Sequence, residues 1–512
     1  VRVFLRGFRL KPVGYTWLIK EYGLEVLEPA LRSYLHERSD RRSLKRDGHV
    51  EAYYPKSYDP GELWTGNLTF AFKYEGINPE ALAALLPKLA FSDVEAFVLV
   101  SPTGKYARLV WFFYEFFLDR ELGLKDLDRG NYIPILDEER EFALPEALAP
   151  RSKRQRLIVN LLGDKAYCPR IRKTKTILEF GASGIVASVR ALIASYPESL
   201  IERASRYLYA KETKSSFEIE REKADNRRVS GFVELLRRAG QTDPYGESEL
   251  TVLQNAIVEK RYAATTYRTT QNYVGESLGP ARELVHYIPP KPSALRSLMD
   301  GWAMSCRLIR LNGMEALILA TVAGFGFVFL HPFDDGNGRI HRFLIHDALI
   351  SSGFTPEGMI FPVSAVMLRR IKEYDAALEA YSAPCMKHLR YALDEWGAMT
   401  VEGETSGFYR YPDLTSQTEA LASFIRETAE TEFSAELEYL ALFDEAREAV
   451  RSILDMPDRK LELFVRLCIQ GKGRLSTAKR ELFPELSDIE LASLESAVFS
   501  IMARRDSTKK QE

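Results

Sequence analysis

Apolar residues fall three and four apart through most of this chain. Over residues 79–118 the positions of Leu82, Leu85, Leu86 and Leu89 predict helix. Residues 184–257 read the same way, and helices resume at Ser293 and dominate to the end. The run from Ala316 to Leu330 is apolar on every face, which is the pattern of a helix buried in a domain centre. It is shorter than the roughly 20 residues a membrane span needs. Strand-like runs are few. Residues 132–136 and 157–162 are short apolar runs between turn signals, and residues 265–274 are β-prone. With Ser277-Leu278-Gly279-Pro280 and His286-Tyr287-Ile288 after them, they predict a hairpin within 265–288 that turns near 276–280. Residues 1–75 mix apolar runs with turn-rich polar stretches and carry no readable chemistry. The expected fold class is mainly α.

At 512 residues the chain exceeds one hydrophobic core, so about two to four domains are expected. A net charge of −2 gives no global attraction for nucleic acid or an anionic membrane. Basic clusters at 151–156 and 170–175 read as solvated surface or connector. Cys168, Cys306, Cys385 and Cys468 are widely spaced with no CxxC pair, as expected of reduced thiols in a cytoplasmic protein. The first six residues are interrupted by arginines and lack a signal-peptide stretch.

The densest chemistry lies in His331-Pro332-Phe333-Asp334-Asp335-Gly336-Asn337-Gly338-Arg339-Ile340-His341-Arg342. Pro332 cannot continue a helix and helps to end the apolar one, with His331 at its cap. Asp335-Gly336-Asn337-Gly338 suits a turn whose backbone N–H groups form an anion nest. A helix starting near Arg339 adds its N-terminal dipole. Arg339 and Arg342, three apart, share a face, and guanidinium forks match phosphate oxygens. Asp335 is placed for Mg²⁺ between phosphates, which leaves His331 to accept the proton of an attacking hydroxyl.

This run resembles the signature of the Fic (filamentation induced by cAMP) family, HxFx(D/E)GNGRxxR, and matches it at every specified position. The resemblance implies an all-α core that transfers AMP from ATP to a Ser, Thr or Tyr hydroxyl of a target protein. By it, His331 is the general base, Asp335 the Mg²⁺ ligand and Phe333 the loop anchor. Gly336, Asn337 and Gly338 line the phosphate nest, with Asn337 also near the α-phosphate. Arg339 and Arg342 hold the β- and γ-phosphates. Doc-type kinases alter the GNGR part, which this chain keeps, so nucleotidyl transfer is favoured over phosphoryl transfer.

A second stretch, Ser216-Phe217-Glu218-Ile219-Glu220-Arg221, resembles the family's inhibitory (S/T)xxxE(G/N) motif. Ser216 and Glu220 fit, and Arg221 departs from the final Gly/Asn. The resemblance implies that Glu220 pairs with Arg342 and blocks the γ-phosphate site, and that it can assist AMP removal in some members. Ser216 is expected to cap a short helix. The β-prone 265–288 stretch lies where the family has its target-docking flap, which works by strand addition. Tyr374 is a weaker candidate for the nucleotide's surroundings, with core packing as the plainer reading.

The expected organisation is an α+β N-terminal domain at 1–180 and a helical segment at 181–249, with the inhibitory helix near 212–228. The catalytic core with its flap follows at 250–385. A helical C-terminal domain at 386–512 ends in a polar tail from Arg504, and residues 471–480 are open to a winged-helix reading. Expected partners are ATP, Mg²⁺ and a protein target, with a homodimer common among similar proteins, nucleic acid weakly supported and no membrane. The competing reading is a nucleotide-sensing regulator that acts through DNA- or protein-binding flanks.

Overall fold

The computed structural model describes residues 4–5, 8–46, 49–223, 225–279, 282–355 and 358–509, and its fold is mainly α. In the N-terminal part, β1 (Phe4–Leu5) pairs with β2 (Phe8–Arg9). Strands β3 (Lys11–Val13), β4 (Leu31–His36), β5 (Arg42–Arg46) and β6 (His49–Pro55) form a sheet in the order β3-β4-β6-β5. The β4–β6 pair is parallel and the others antiparallel. Helices α1 (Tyr15–Tyr22), α2 (Trp64–Tyr74), α3 (Pro79–Leu85), α4 (Phe91–Val100) and α5 (Lys105–Leu118) bury Leu18, Leu68, Leu82, Val94 and Trp111 in one core. Pro79 opens α3 and the Asn78 side chain caps it, accepting from the Ala81 N–H at 3.2 Å. The small sheet β7 (Ile133–Pro134), β8 (Arg151–Ser152) and β9 (Leu157–Ile158) follows.

The basic clusters turn inward more than their composition suggests. Arg154 pairs with Glu115 at 3.1 Å and Asp126 at 2.7 Å, Arg170 with Glu141 at 2.6 Å, and Arg172 with Asp413 at 3.2 Å. These charges join segments distant in sequence, which spacing along the chain cannot reveal.

Residues 175–194 are apolar enough over 20 residues to match a membrane span. The chain divides them into α6 (Lys175–Gly181) and α7 (Ile185–Ala194) at Gly184, whose φ is 66°. The central unit continues with α8 (Glu198–Ile219), α9 (Asn226–Arg237) and α10 (Glu247–Ile257). Next come the antiparallel hairpin β10 (Val274–Gly279) and β11 (Arg282–Tyr287), then α11 (Pro292–Leu311), α12 (Ala316–Leu330) and α13 (Asn337–Ser351). Helices α14 (Val363–Arg369) and α15 (Ile371–Met386) complete it. Helix α12 packs against both α11 and α13, and Leu317 to Phe327 are all buried. A helix apolar all round needs neighbours all round, and α12 has them.

The hairpin is shorter than expected, since residues 265–273 form loop instead of strand and the turn at 280–281 lies outside the described residues. A second hairpin, β12 (Tyr391–Leu393) with β13 (Met399–Val401), is one that the helical reading of this region missed. The central core does not stop near 385. After the four-residue α16 (Gly407–Arg410), α17 (Thr415–Glu427) inserts Leu421, Phe424 and Ile425 into it, and α18 (Ser434–Ile453) adds Leu437 and Ala441. A separate apolar cluster unites the end of α18 with α19 (Asp458–Gln470) and α21 (Asp488–Lys509), with Leu475 and Phe483 joining it from either side of the short α20 (Thr477–Arg480). Among the described residues no strand follows Val401, so residues 471–480 have no wing beside them. The polar tail continues α21 as far as Lys509, and residues 510–512 lie outside the described ones.

The inward-turned arginines carry a stability prediction. Arg170→Ala strands the buried Glu141 carboxylate and should cost about 3–5 kcal/mol, whereas exposed Lys153→Ala should stay within about 0.5 kcal/mol. Thermal unfolding of the two variants compares them, and equal small losses would show that Arg170 behaves as a solvated surface residue.

Candidate active site

Helix α12 delivers His331 to the site in an unusual backbone conformation. The residue ends the helix at φ 50° and ψ 59°, with its N–H donating to Phe327 O at 2.9 Å. Left-handed backbone at a non-glycine residue costs roughly 1–2 kcal/mol and persists only where the surroundings impose it. Here Arg268 imposes it. Its backbone N–H donates to Pro332 O at 2.8 Å, its Nε to His331 O at 2.9 Å and its Nη1 to Thr270 O at 2.9 Å, and its Nη2 donates to Pro290 O. Arg268 therefore ties the base of the hairpin to the histidine. Gln271 and Asn272 add bonds to Pro289 O and Phe333 O, which explains why this β-prone stretch is loop.

The His331 ring has Nδ1 3.2 Å from Val328 O. A carbonyl accepts only, so Nδ1 carries the proton and Nε2 keeps its lone pair. Burial, reinforced by the Arg268 charge, lowers the imidazole pKa to about 4. A neutral histidine with Nε2 unprotonated can accept a proton at neutral pH.

Phe333 is 1% exposed and lies edge-on to Tyr267, with ring centroids 5.7 Å apart. Asn337 closes the loop reciprocally. Its Nδ2 donates to Phe333 O at 2.7 Å, and its Oδ1 accepts from the Phe333 N–H at 3.1 Å. The side chain expected near the α-phosphate is thus engaged in holding the loop. Gly336 (φ 92°) precedes α13, which begins at Asn337, two residues before the expected start at Arg339. Asp335 Oδ1 accepts from the Gly336 N–H at 2.6 Å and from Arg339 Nη2 at 2.7 Å.

Both arginines are buried to 1% exposure, so each guanidinium needs partners. Arg342 donates from Nε to Ser216 Oγ at 2.8 Å, and from Nη2 to Ser216 O at 2.7 Å and Glu220 Oε1 at 2.8 Å. Burial alone would raise the Glu220 pKa, but the Arg342 charge and hydrogen bond outweigh it and hold the carboxyl below its ordinary value. The carboxylate also lies against Gly338, where a Cβ would overlap Glu220 Oε1. The protein's own anion therefore sits on the first turn of α13, where helix N–H groups favour negative charge. Arg339 pairs with Glu222 at 3.0 Å and donates to Ile257 O at 3.1 Å.

Ser216 does not cap a short helix. It is fully buried near the end of the 22-residue α8, where Glu212, Ser216 and Glu220 follow at four-residue steps along one face. That face meets Arg342 and His346 of α13. His346 Nε2 lies 2.8 Å from Glu212 Oε1, and Glu212 Oε2 accepts from the Ser364 N–H at 2.9 Å. Helix α8 closes in a Schellman turn, with the Arg221 N–H bonded to Glu218 O at 3.0 Å and the Glu222 N–H to Phe217 O at 3.1 Å. Arg221 occupies its left-handed position at φ 56°. This position suits Gly or Asn, which accounts for the final letter of the inhibitory motif, and the turn forms here despite the arginine. Arg221 also reaches Glu276 on β10 at 3.0 Å.

Tyr374 is 4% exposed and packs beside His341, with ring centroids 6.1 Å apart. Sequence reasoning missed Arg268, Gln271, Asn272, Glu212 and Glu222. The four-residue spacing of Glu212, Ser216 and Glu220 was a readable signal, whereas nothing local marks Arg268.

Sequence comparison matches residues 244–349 to the Fic/DOC family. Over 136 residues the chain is 34% identical to protein adenylyltransferase Fic of Culex quinquefasciatus, covering 25% of this chain and 22% of that one. The Nematostella vectensis protein of the same name is 32% identical over 142 residues, covering 26% and 30%. For Drosophila grimshawi the values are 32% over 90 residues, covering 18% and 17%. The chain thus spans less than a third of the length of these curated relatives. Among solved structures, a Fic family protein from Desulfovibrio desulfuricans G20 aligns at TM-score 0.36 and 17% identity, covering 61% of this chain and 87% of that one. A Fic domain containing signaling protein from Bacteroides thetaiotaomicron VPI-5482 aligns at 0.33 and 16%, covering 52% and 95%. The chain carries a Fic domain.

Two measurements follow from this geometry. An NMR titration should find His331 neutral at pH 7 with a midpoint near 4, and a midpoint near 6.5 would contradict its burial. Because the folded pKa is depressed, the unfolded chain takes up the proton first. The stability linked to this group is therefore complete above about pH 6.5 and is lost as pH falls towards 4. Separately, Arg221→Gly should relieve left-handed strain and stabilise the chain by about 1 kcal/mol, less the small loss of the exposed Glu276 pair. Urea unfolding reads this, and a destabilised variant would mean that the Glu276 contact matters more than the strain.

Proposed function

We propose that this protein is a protein adenylyltransferase that transfers AMP from ATP to a Ser, Thr or Tyr hydroxyl of a target protein, and that Glu220 holds it inactive. The observation that carries this reading is the Glu220 carboxylate itself. It lies on Gly338 and Arg342 at the start of α13, in the same loop-to-helix segment as a neutral histidine. An anion site filled by an internal anion is suited to a competing phosphate. The names of the relatives over the matched region support adenylyl transfer in particular.

In this mechanism the N–H groups opening α13 hold the α-phosphate, and Arg339 and Arg342 hold the β- and γ-phosphates once Glu220 has left. His331 Nε2 takes the proton of the target hydroxyl as its oxygen attacks the α-phosphorus. The bond from that phosphorus to the bridging oxygen breaks, and pyrophosphate departs into the two guanidiniums. Asp335 is the residue that would hold Mg²⁺. Among the described residues no cluster of three His, Cys, Asp or Glu side chains could hold a metal ion. One carboxylate fits an ion that takes its remaining ligands from phosphates and water. When bound, Mg²⁺ would neutralise charge on the leaving pyrophosphate. The β10–β11 hairpin, tied to His331 through Arg268, is the surface where an added target strand brings its hydroxyl to the base.

Purified protein incubated with Mg²⁺ and α-labelled ATP should incorporate more label as Glu220→Gly than as the wild type. Adding His331→Ala should reduce that incorporation by about 10²–10⁴-fold. Labelling that survives loss of His331 would refute its role as the base, and no labelling by Glu220→Gly would refute the brake.

A further inference from the structure

The turn that closes α8 presents a second carboxylate to the site. Glu220 precedes the left-handed Arg221 and Glu222 follows it, and the two side chains reach different arginines of α13. Glu220 is 2.8 Å from Arg342, and Glu222 is 3.0 Å from Arg339. We propose that Glu222 is a second brake, which holds Arg339 as Glu220 holds Arg342, so that a nucleotide binds fully only when both carboxylates withdraw. This rests on reading the site as a nucleotide site.

The hydrogen bonds of Arg339 carry the argument. Its Nη1 serves Glu222 and Ile257 O, its Nη2 serves Asp335, and its Nε is buried without a partner. With Glu222 in place both Nη1 hydrogens are engaged, so Nη1 has none left to grip a phosphate. Removing Glu220 alone leaves this unchanged and keeps a negative charge beside the expected path of the β- and γ-phosphates. Glu222 is also able to leave. Its side chain is about one-third exposed and has a second partner in Arg228 of α9 at 2.8 Å, so it stays paired after release. Arg339, at 2% side-chain exposure, keeps Asp335 when Glu222 withdraws, and a phosphate oxygen would take the Nη1 hydrogen that Glu222 leaves. The Schellman turn links the two brakes, because Glu220 and Glu222 flank one residue and any unwinding of α8 moves both.

Calorimetric titration with MgATP tests this on the full chain as Glu220→Gly, Glu222→Gln and the double variant. The double variant should bind MgATP on the order of tenfold more tightly than Glu220→Gly, the size of one charge-assisted hydrogen bond. AMP, which lacks the phosphates that Arg339 would hold, should bind both equally. MgATP affinity that is unchanged or weaker in the double variant overturns the second brake. If Glu220→Gly and the double variant both fail to bind MgATP, the nucleotide reading itself fails, and the clamp is then read by hydrogen exchange. Glu222→Gln should speed exchange over residues 217–228 about tenfold while α12 stays protected, and unchanged exchange there overturns the clamp.

Discussion

Two guanidiniums buried on one helix impose the constraint from which the rest of this site follows. Arg339 and Arg342 are each 1% exposed, and a charge removed from water to that degree must be matched by an anion and hydrogen-bonded. In the described chain the match comes from Asp335 in the preceding loop, and from α8 and the residues just beyond it. Ser216, Glu220 and Glu222 meet the arginines, and Glu212 meets His346 further along α13. The seam is rich in polar pairs for a helix–helix contact, with the Phe217 ring of α8 lying against the Arg339 guanidinium. It leaves α8 held by interactions that a polyphosphate is chemically equipped to replace.

The same constraint explains smaller features. Gly338 lacks a side chain where the Glu220 carboxylate lies. Arg221 tolerates a left-handed backbone because the Schellman turn brings its neighbours to the arginines. On the other side of the site Arg268 plays a comparable role through carbonyls, fixing His331, Pro332 and the foot of the β10–β11 hairpin with one side chain. The low pKa of His331 comes from the burial this produces and from the charge of Arg268 itself. Base, loop and hairpin are therefore mechanically one unit.

Much of this was legible in the residues. Ala316–Leu330 emerges as the buried helix its uniform apolarity implies, because an all-apolar surface has one stable environment. Residues 331–342 come together because they are adjacent in the chain, and Glu220 meets Arg342 as the resemblance implied. Less was legible where partners are far apart. The Thr265–Tyr273 stretch has strand-like residues but is drawn into loop by bonds to carbonyls at 289, 290 and 331–333. The central core runs past residue 385 because α17 has an apolar face that fits α12 and α15, and helix periodicity does not say which core a face will join.

By itself, the sequence determined the mainly α class, the buried helix and the identity of the loop that follows it. These depend on local periodicity, on turn chemistry and on groups a few bonds apart. Only the tertiary structure decided that Glu222 and Asp335 neutralise Arg339 and which tautomer His331 holds. It alone showed Asn337 engaged with its own loop and Glu222 within hydrogen-bond distance of Arg339. The arginine pairs with Glu222 and Glu220 join residues 117 and 122 positions apart and are set by the requirement that a buried charge find a partner. His331 and Asn337 turn instead on carbonyls of their own segment, which only the folded loop brings into line.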